Sequence, residues 1–455
     1  MSKLYAENIL IGSQWQKHKT LLLSEQGIIE SIIDGKDPQA TVLTGTVIPG
    51  MVNCHSHAFQ RAFAGLSEYR GNTADSFWSW RDIMYRFVAK ISPEDAHHIA
   101  SFVYVEMLKA GYTSVAEFHY LHHQFGGAHY DDPAEMSHQI INAAEAAGIA
   151  LTHLPVLYSY AGFGEKQISK PQARFTHSTN DYLDLIGMLN QQYAAQNNFT
   201  LGIAPHSLRA VSQSQLNEIV PFIRNLNPNA PIHIHIAEQL QEVEDCVEFY
   251  GKRPVDWLLD NFQMDENWCL IHATHLNDDE IKNLANSNGI VGICPTTEAN
   301  LGDGIFPASQ FLNENGNFAI GSDSHIAINV SDELKTLEYG QRLTQYQRAV
   351  LTGENCNSVG QYLYCKAAQD GAKAISQNVG SIEIGKRADL IVLNNQHPSL
   401  FNKSDSFILD AAIFASSQLP VKDVFVAGKQ MIASGQHSLD ETLLKNYQSV
   451  VERIS

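Results

Sequence analysis

Between residues 47 and 322 the chain alternates short β-branched runs with longer helical patterns, and no other feature limits the possible folds so strongly. The runs fall at 47–53, 113–118, 149–158, 201–206, 232–237, 269–274, 290–293 and 318–322. Strands joined by helical crossovers pair in parallel, and eight of them predict a closed (β/α)8 barrel. The intervening segments read as helices; one spans 93–110 and stops at Gly111, a residue type that commonly ends helices. A barrel of this kind carries its chemistry at the C-terminal ends of its strands.

Both ends of the chain have a different texture, of short strands and turns, seen in Leu4-Tyr-Ala-Glu-Asn-Ile-Leu-Ile11 and again in Val421-Lys-Asp-Val-Phe-Val-Ala-Gly-Lys429. Segments so far apart can close on each other as one small β-domain. The expected organisation is therefore a β-sandwich built from residues 1–46 and 380–455, the latter with a terminal helix, around an α/β barrel of residues 47–379.

Thirty basic against 49 acidic residues give a net charge of -19, which argues against a nucleic-acid or anionic-membrane partner. The apolar runs stop short of the roughly 20 residues a membrane-spanning helix needs, and the polar start lacks a signal-peptide core, so a cytoplasmic protein is expected. Cysteines 54, 246, 269, 294, 356 and 365 form no Cys-x-x-Cys pair and read as reduced structural thiols. Asn198-Phe-Thr and Asn402-Lys-Ser match the glycosylation pattern, which has meaning only in a secreted chain.

The first strand runs into Cys54-His55-Ser56-His57. Alternate residues of a strand share a face, so His55 and His57 converge, as befits a borderline divalent metal such as zinc. Pro231-Ile-His-Ile-His-Ile-Ala-Glu-Gln239 adds His235 near the end of the fifth strand, with His233 deeper and Glu238 leaving the strand within reach of a metal-bound water. The sixth strand ends in Leu270-Ile-His-Ala-Thr-His275, which brings His272 to the rim with His275 on the other parity. The eighth ends in Ala319-Ile-Gly-Ser-Asp-Ser-His325, with Asp323 at the same level. Singly, each has an ordinary explanation as a core histidine or a helix cap. Together they predict one zinc ion on His55, His57, His235 and Asp323, with Glu238, His272 and the shared Asp323 acting on its water.

With these residues the sequence resembles the amidohydrolase superfamily of metal-dependent hydrolases, from Pro49-Gly-Met-Val-Asn-Cys-His-Ser-His57 to Gly385-Lys-Arg-Ala-Asp-Leu-Ile-Val-Leu393. The resemblance implies a distorted TIM barrel, a small β-sandwich formed by both termini, and a homodimer. It also implies a single metal, because Ala204-Pro-His-Ser-Leu-Arg209 stands where a bridging carbamylated lysine would be. Further motifs resemble the branch of that superfamily that hydrolyses N-formimino-L-glutamate to N-formyl-L-glutamate and ammonia in histidine degradation. They are His57-Ala-Phe-Gln-Arg-Ala-Phe-Ala-Gly-Leu66, Asp75-Ser-Phe-Trp-Ser-Trp-Arg-Asp-Ile-Met-Tyr85, Ala116-Glu-Phe-His-Tyr-Leu-His-His123, His206-Ser-Leu-Arg-Ala-Val211 and Thr297-Glu-Ala-Asn-Leu-Gly-Asp-Gly-Ile-Phe-Pro307.

Such a substrate has two carboxylates and an amidine-like head, and requires planar cations at one end of its pocket and carboxylates at the other. The resemblance assigns Arg81 and Arg209 as clamps, with Gln60, Tyr120 and His206 as further hydrogen-bonding residues. His119, His122 and His123 read as rim residues without metal. The resemblance leaves open whether Arg81 serves its own or a neighbouring subunit's site. Three other readings stand beside this one: a deaminase of a guanine- or adenosine-like ring, an imidazolonepropionase, and a non-catalytic barrel that has lost its chemistry. The first predicts a neutral, stacking pocket, and the last predicts missing ligands, whereas none is missing here.

Overall fold

A computed structural model describes residues 2–66, 68 and 77–454. The barrel strands are β1 (Met51–Ser56), β2 (Tyr112–His119), β3 (Ala150–Leu157), β4 in two pieces (Phe199–Leu201 and Ala204–Pro205), β5 (Ile232–Ile236), β6 (Trp268–His272), β7 (Ile290–Ile293) and β8 (Asn317–Ile320). They pair in parallel as β1-β2-β3-β4 and β5-β6-β7-β8. Parallel bridges Ile203–Ile232 and Ser207–His235 join β4 to β5, and Ser56–Asp323 joins β8 back to β1. The ring is therefore closed. Every residue of β1, β2, β3, β5, β6 and β7 is buried, as expected of strands covered on both faces.

The first predicted strand divides in two at Gly50. Thr41–Pro49 belongs to the terminal sheet, and the barrel strand starts only at Met51. Any side chain at Gly50 would run into Thr113, with Cβ 2.2 Å from its Oγ1. An apolar run that crosses from one sheet to another shows no break in hydropathy, so pattern alone cannot find the boundary.

The ends of the chain form one eight-stranded mixed sheet in the order Gln436–His437, Lys429–Ala433, Val421–Val426, Leu390–Leu393, Thr41–Pro49, Ser2–Ile11, Gln14–Leu23, Ile29–Asp34. N- and C-terminal halves meet where Leu390 faces Pro49 and Leu393 faces Thr46. As the sequence predicted, the two ends meet in one β-domain, whose strands enclose their own apolar core, with Leu4, Ile9, Leu21 and Val47 from one end and Leu390, Val392 and Phe425 from the other. The helix Asp440–Ile454 leaves this sheet and packs on the barrel helix Pro93–Ala110, where Tyr447 stacks on Phe102 with ring centroids 4.3 Å apart. Pro93–Ala110 has the predicted limits: a Ser92–Asp95 capping box at one end and a left-handed Gly111 (φ 99°) at the other. Among the described residues no helix is long and apolar enough to cross a membrane.

Candidate active site

His55 and His57 converge at the barrel mouth by a route that simple alternation misses. Asn53 stands opposite Val115 and Ser56 opposite Glu117, so β1 takes three steps while β2 takes two. The resulting bulge re-aims the end of β1 inward, as bulges near active sites commonly do. Asp323 is held against it from both sides, its N–H donating to the His55 carbonyl (3.0 Å) while the His57 N–H donates to the Asp323 carbonyl (3.2 Å). Backbone strain collects at the same level: Ala237, His272, Ala273, Asp323 and His325 all have φ between 43° and 71°.

Two of the three imidazoles are oriented by the far nitrogen, while Nδ1 of His55 is buried with no partner among the described residues. His57 Nδ1 donates to the Phe118 carbonyl at 2.9 Å and His235 Nδ1 to the His206 carbonyl at 3.1 Å, which leaves both Nε2 atoms as bare lone pairs. Nε2 of His235 lies 3.0 Å from Nε2 of His55, and Asp323 Oδ1 lies 3.5 Å and 3.4 Å from Nε2 of His55 and His57. The histidine donor atoms lie within 4.8 Å of one another. Burial holds His55 and His235 well below the ordinary histidine range, helped by neighbouring imidazoles, and lowers His57 as well. Neutral lone pairs and a carboxylate aimed at one point are an unfavourable arrangement unless a cation lies between them, and three nitrogens with one oxygen suit zinc. The residues present therefore fit a single divalent metal.

His272 faces this cluster from β6. Its Nε2 is 3.8 Å from both Glu238 Oε1 and Asp323 Oδ2, and its Nδ1 lies 3.2 Å from Glu298 Oε1. Burial alone would lower its pKa, yet Glu238, Glu298 and Asp323 together raise it to about 10, which favours the protonated ring. Burial lifts Glu238 to about 7 against the pull of His272. Glu298 belongs to this cluster, and sequence reasoning did not assign it. It sits in the short helix Pro295–Leu301 after β7, where its Oε1 also accepts the Cys294 N–H at 2.8 Å. The only advance signal was its place in the motif starting at Thr297.

The cavity above the cluster is lined by His57, His235, Glu238, His272 and Asp323, and also by Gln60, Arg81, Tyr120, His206 and Arg209. His55 lies fully buried beneath them. All the predicted site residues thus gather at one place, and Arg81 lines its own chain's cavity. Asp75 and Ser76, which open the Arg81 motif, lie outside the described residues. Gln60 Nε2 donates to Tyr120 Oη at 2.8 Å, and Arg81 lies 5.8 Å over the Tyr85 ring. Arg209 directs Nε toward Glu242 Oε2, 3.7 Å away; both atoms are buried, and Glu242 also accepts the Ala237 N–H at 3.2 Å. Trp80, Met84, Tyr85, Tyr158, Phe175 and Leu301 complete the walls. Trp80, Met84 and Tyr85 share a helix with Arg81, so helical spacing could have found them.

His119, His122 and His123 are buried instead of lying at the rim, with His122 Nε2 donating to the Val156 carbonyl and His123 Nε2 to the Thr176 carbonyl. His233 is deeper than His235 and donates to the Ala374 carbonyl at 2.7 Å.

The amidohydrolase family model matches residues 46–431, and the chain belongs to that family. A formimidoylglutamate deiminase from Pseudomonas aeruginosa is 45% identical over 452 residues, 99% of each chain. The crystal structure of an amidohydrolase from Brucella melitensis is 41% identical with a TM-score of 0.93, covering 100% of both chains. A 5-methylthioadenosine/S-adenosylhomocysteine deaminase from Thermodesulfovibrio yellowstonii is 27% identical over 410 residues, 89% of this chain and 85% of that one.

Proposed function

We propose that the chain hydrolyses N-formimino-L-glutamate to N-formyl-L-glutamate and ammonia, as a metal-dependent hydrolase of a non-peptide C–N bond. One observation carries the reading: two arginines, Arg81 and Arg209, line the same cavity as the His55, His57, His235 and Asp323 cluster. A dicarboxylate with a basic head matches that polarity, and the P. aeruginosa relative bears the corresponding name.

His55, His57, His235 and Asp323 would hold the metal, zinc by donor type, which when bound supplies an acidified water. Arg209 and Arg81 hold the substrate carboxylates, and Gln60, Tyr120 and His206 fix its orientation by hydrogen bonds. Asp323 accepts the proton of the attacking water. Glu238, poised near neutrality, carries a proton to the imino nitrogen so that ammonia departs as the tetrahedral carbon collapses. His272, as an imidazolium, stabilises the negative charge that develops beside it. The same reading makes the protein a cytoplasmic homodimer of histidine degradation whose only partner besides its second copy is a small molecule.

The test is ammonia release by the metal-loaded protein from N-formimino-L-glutamate, with guanine, adenosine and imidazolonepropionate as comparators. Turnover is expected with the first alone, lost on chelation and restored by zinc. Glu238→Gln is expected to reduce kcat at least a hundredfold. A ring deaminase is the second reading, prompted by the 27% identical relative and the aromatic walls. Deamination of adenosine that survives Arg209→Met would establish it instead.

A further inference from the structure

Tyr158 follows the last residue of β3 and lines the same cavity as the two arginines. Its ring packs against His206, with centroids 4.8 Å apart, and against Phe175 at 6.0 Å. Burial raises its pKa, and the Arg209 and Arg81 guanidiniums draw it back down.

The direction of its hydrogen bond can be worked out from its neighbours. Gln172 Oε1 accepts the Ser169 N–H at 2.8 Å and the Ser169 hydroxyl at 2.7 Å, the capping box of the turn Lys170–Phe175. That occupies the oxygen of the amide and leaves Nε2 toward Tyr158 Oη, 2.6 Å away. An amide nitrogen can only donate, so the Tyr158 oxygen accepts and its own proton is left for something else. Among the described residues no acceptor takes it. Arg81 and Arg209, which line the same cavity, have no lone pair to offer, whereas an anion held by them would supply an acceptor.

We propose that Tyr158, aimed by Gln172, donates its hydroxyl proton to a carboxylate of the substrate and forms the third arm of a clamp with Arg81 and Arg209. A carboxylate has about four lone-pair directions, and a guanidinium fork fills only two on one side. A neutral donor from another strand end adds direction without adding charge. The proposal rests on the deiminase reading for the identity of the ligand, but the three donors would serve any small dicarboxylate.

The test uses the metal-loaded full chain, with steady-state kinetics on N-formimino-L-glutamate and calorimetric titration of glutarate, a dicarboxylate with no reacting group. Tyr158→Phe keeps the ring and removes the proton. KM and the glutarate Kd are expected to rise about ten- to a hundredfold, the range for a hydrogen bond to a charged group, with kcat changed less than about threefold. Gln172 is a positioning residue and separates the roles. In Gln172→Glu the new carboxylate accepts the Tyr158 proton and turns it from the cavity, so that variant is expected to match Tyr158→Phe. Gln172→Leu merely frees the hydroxyl to rotate and is expected to fall between it and the parent. The proposal is overturned if Tyr158→Phe leaves KM and the glutarate Kd within twofold of the parent while Arg209→Met raises both. It is equally overturned if Gln172→Glu binds glutarate like the parent, a result that holds even should Tyr158→Phe fail to fold. Weakened glutarate binding in Tyr158→Phe together with no ammonia from N-formimino-L-glutamate would sink the deiminase reading and leave the clamp standing.

Discussion

Glu298 shows how a carboxylate on the far side of a histidine sets the charge of a ring that faces the cluster. Its oxygen fixes which edge of His272 turns inward, and its charge helps keep that ring protonated against burial. Glu298→Gln is expected to lower kcat about ten- to a hundredfold with KM little changed, because the group it orients acts on charge that develops only in the transition state. A matching rise in KM, with melting temperature unmoved, would assign Glu298 to substrate binding instead. The clustered residues were legible in the sequence because coordination chemistry admits few residue types, and His55, His57, His235 and Asp323 fell at ends of predicted strands. Glu298, Glu242 and Tyr158 were not. A carboxylate behind a histidine, a counter-charge behind an arginine or a hydroxyl aimed by an amide can come from any loop, and only three-dimensional neighbours reveal them.

At the level of elements, the site depends on how closely β8 approaches β1. A Cβ added at Gly321, the residue after β8, would stand 2.8 Å from His55 Cβ and 3.0 Å from the His55 N and O atoms. That is backbone, which cannot move aside without moving the ligand. Gly321→Ala is therefore expected to weaken metal retention at least tenfold, read by competition with a chromophoric chelator, and to destabilise the fold by about 1–3 kcal/mol. Retention equal to the parent's would show that β1 tolerates the shift. The first turn of the helix Leu240–Tyr250 likewise joins two strand ends, since Glu242 faces Arg209 after β4 and the Ala237 N–H after β5. Glu242→Ala is expected to raise KM and lower kcat together, whereas Arg209→Met acts mainly on KM; steady-state kinetics separates them. Hydropathy patterning revealed all eight strands, but not the division at Gly50, the bulge in β1 or the two-piece β4. Each of these is a change of direction within an apolar run, and periodicity carries no direction.

On the scale of the whole molecule, the shared texture of the two ends was enough to predict that they meet. Buried polar links then tie that sheet to the barrel, with Arg387 Nη2 donating to Asp389 at 2.7 Å and to Ser114 of β2 at 3.0 Å. Beside that frame lies a store of buried histidines whose cost falls on the entire fold. His119, His122, His123, His153 and His177 are all buried, and among the described residues both ring nitrogens of His153 and His177 find no partner. Burial pushes His119 and His177 down to about 3 and holds His122 and His153 well below the ordinary range. The unfolded chain binds protons on these rings near pH 6.5, whereas the folded protein does not until far lower pH. Stability is therefore complete above about pH 6.5 and lost as pH falls from there toward 3, by about 2 kcal/mol per histidine at pH 5. For His119 and His177 alone that amounts to about 4 kcal/mol, a large part of an ordinary domain's margin. Urea denaturation of the metal-free protein isolates this loss from metal release, which also follows acidification. His177→Phe is expected to recover about 2 kcal/mol of the difference between pH 6.5 and pH 5. An unchanged difference in that variant would mean that His177 binds its proton in the folded protein as readily as in the unfolded chain.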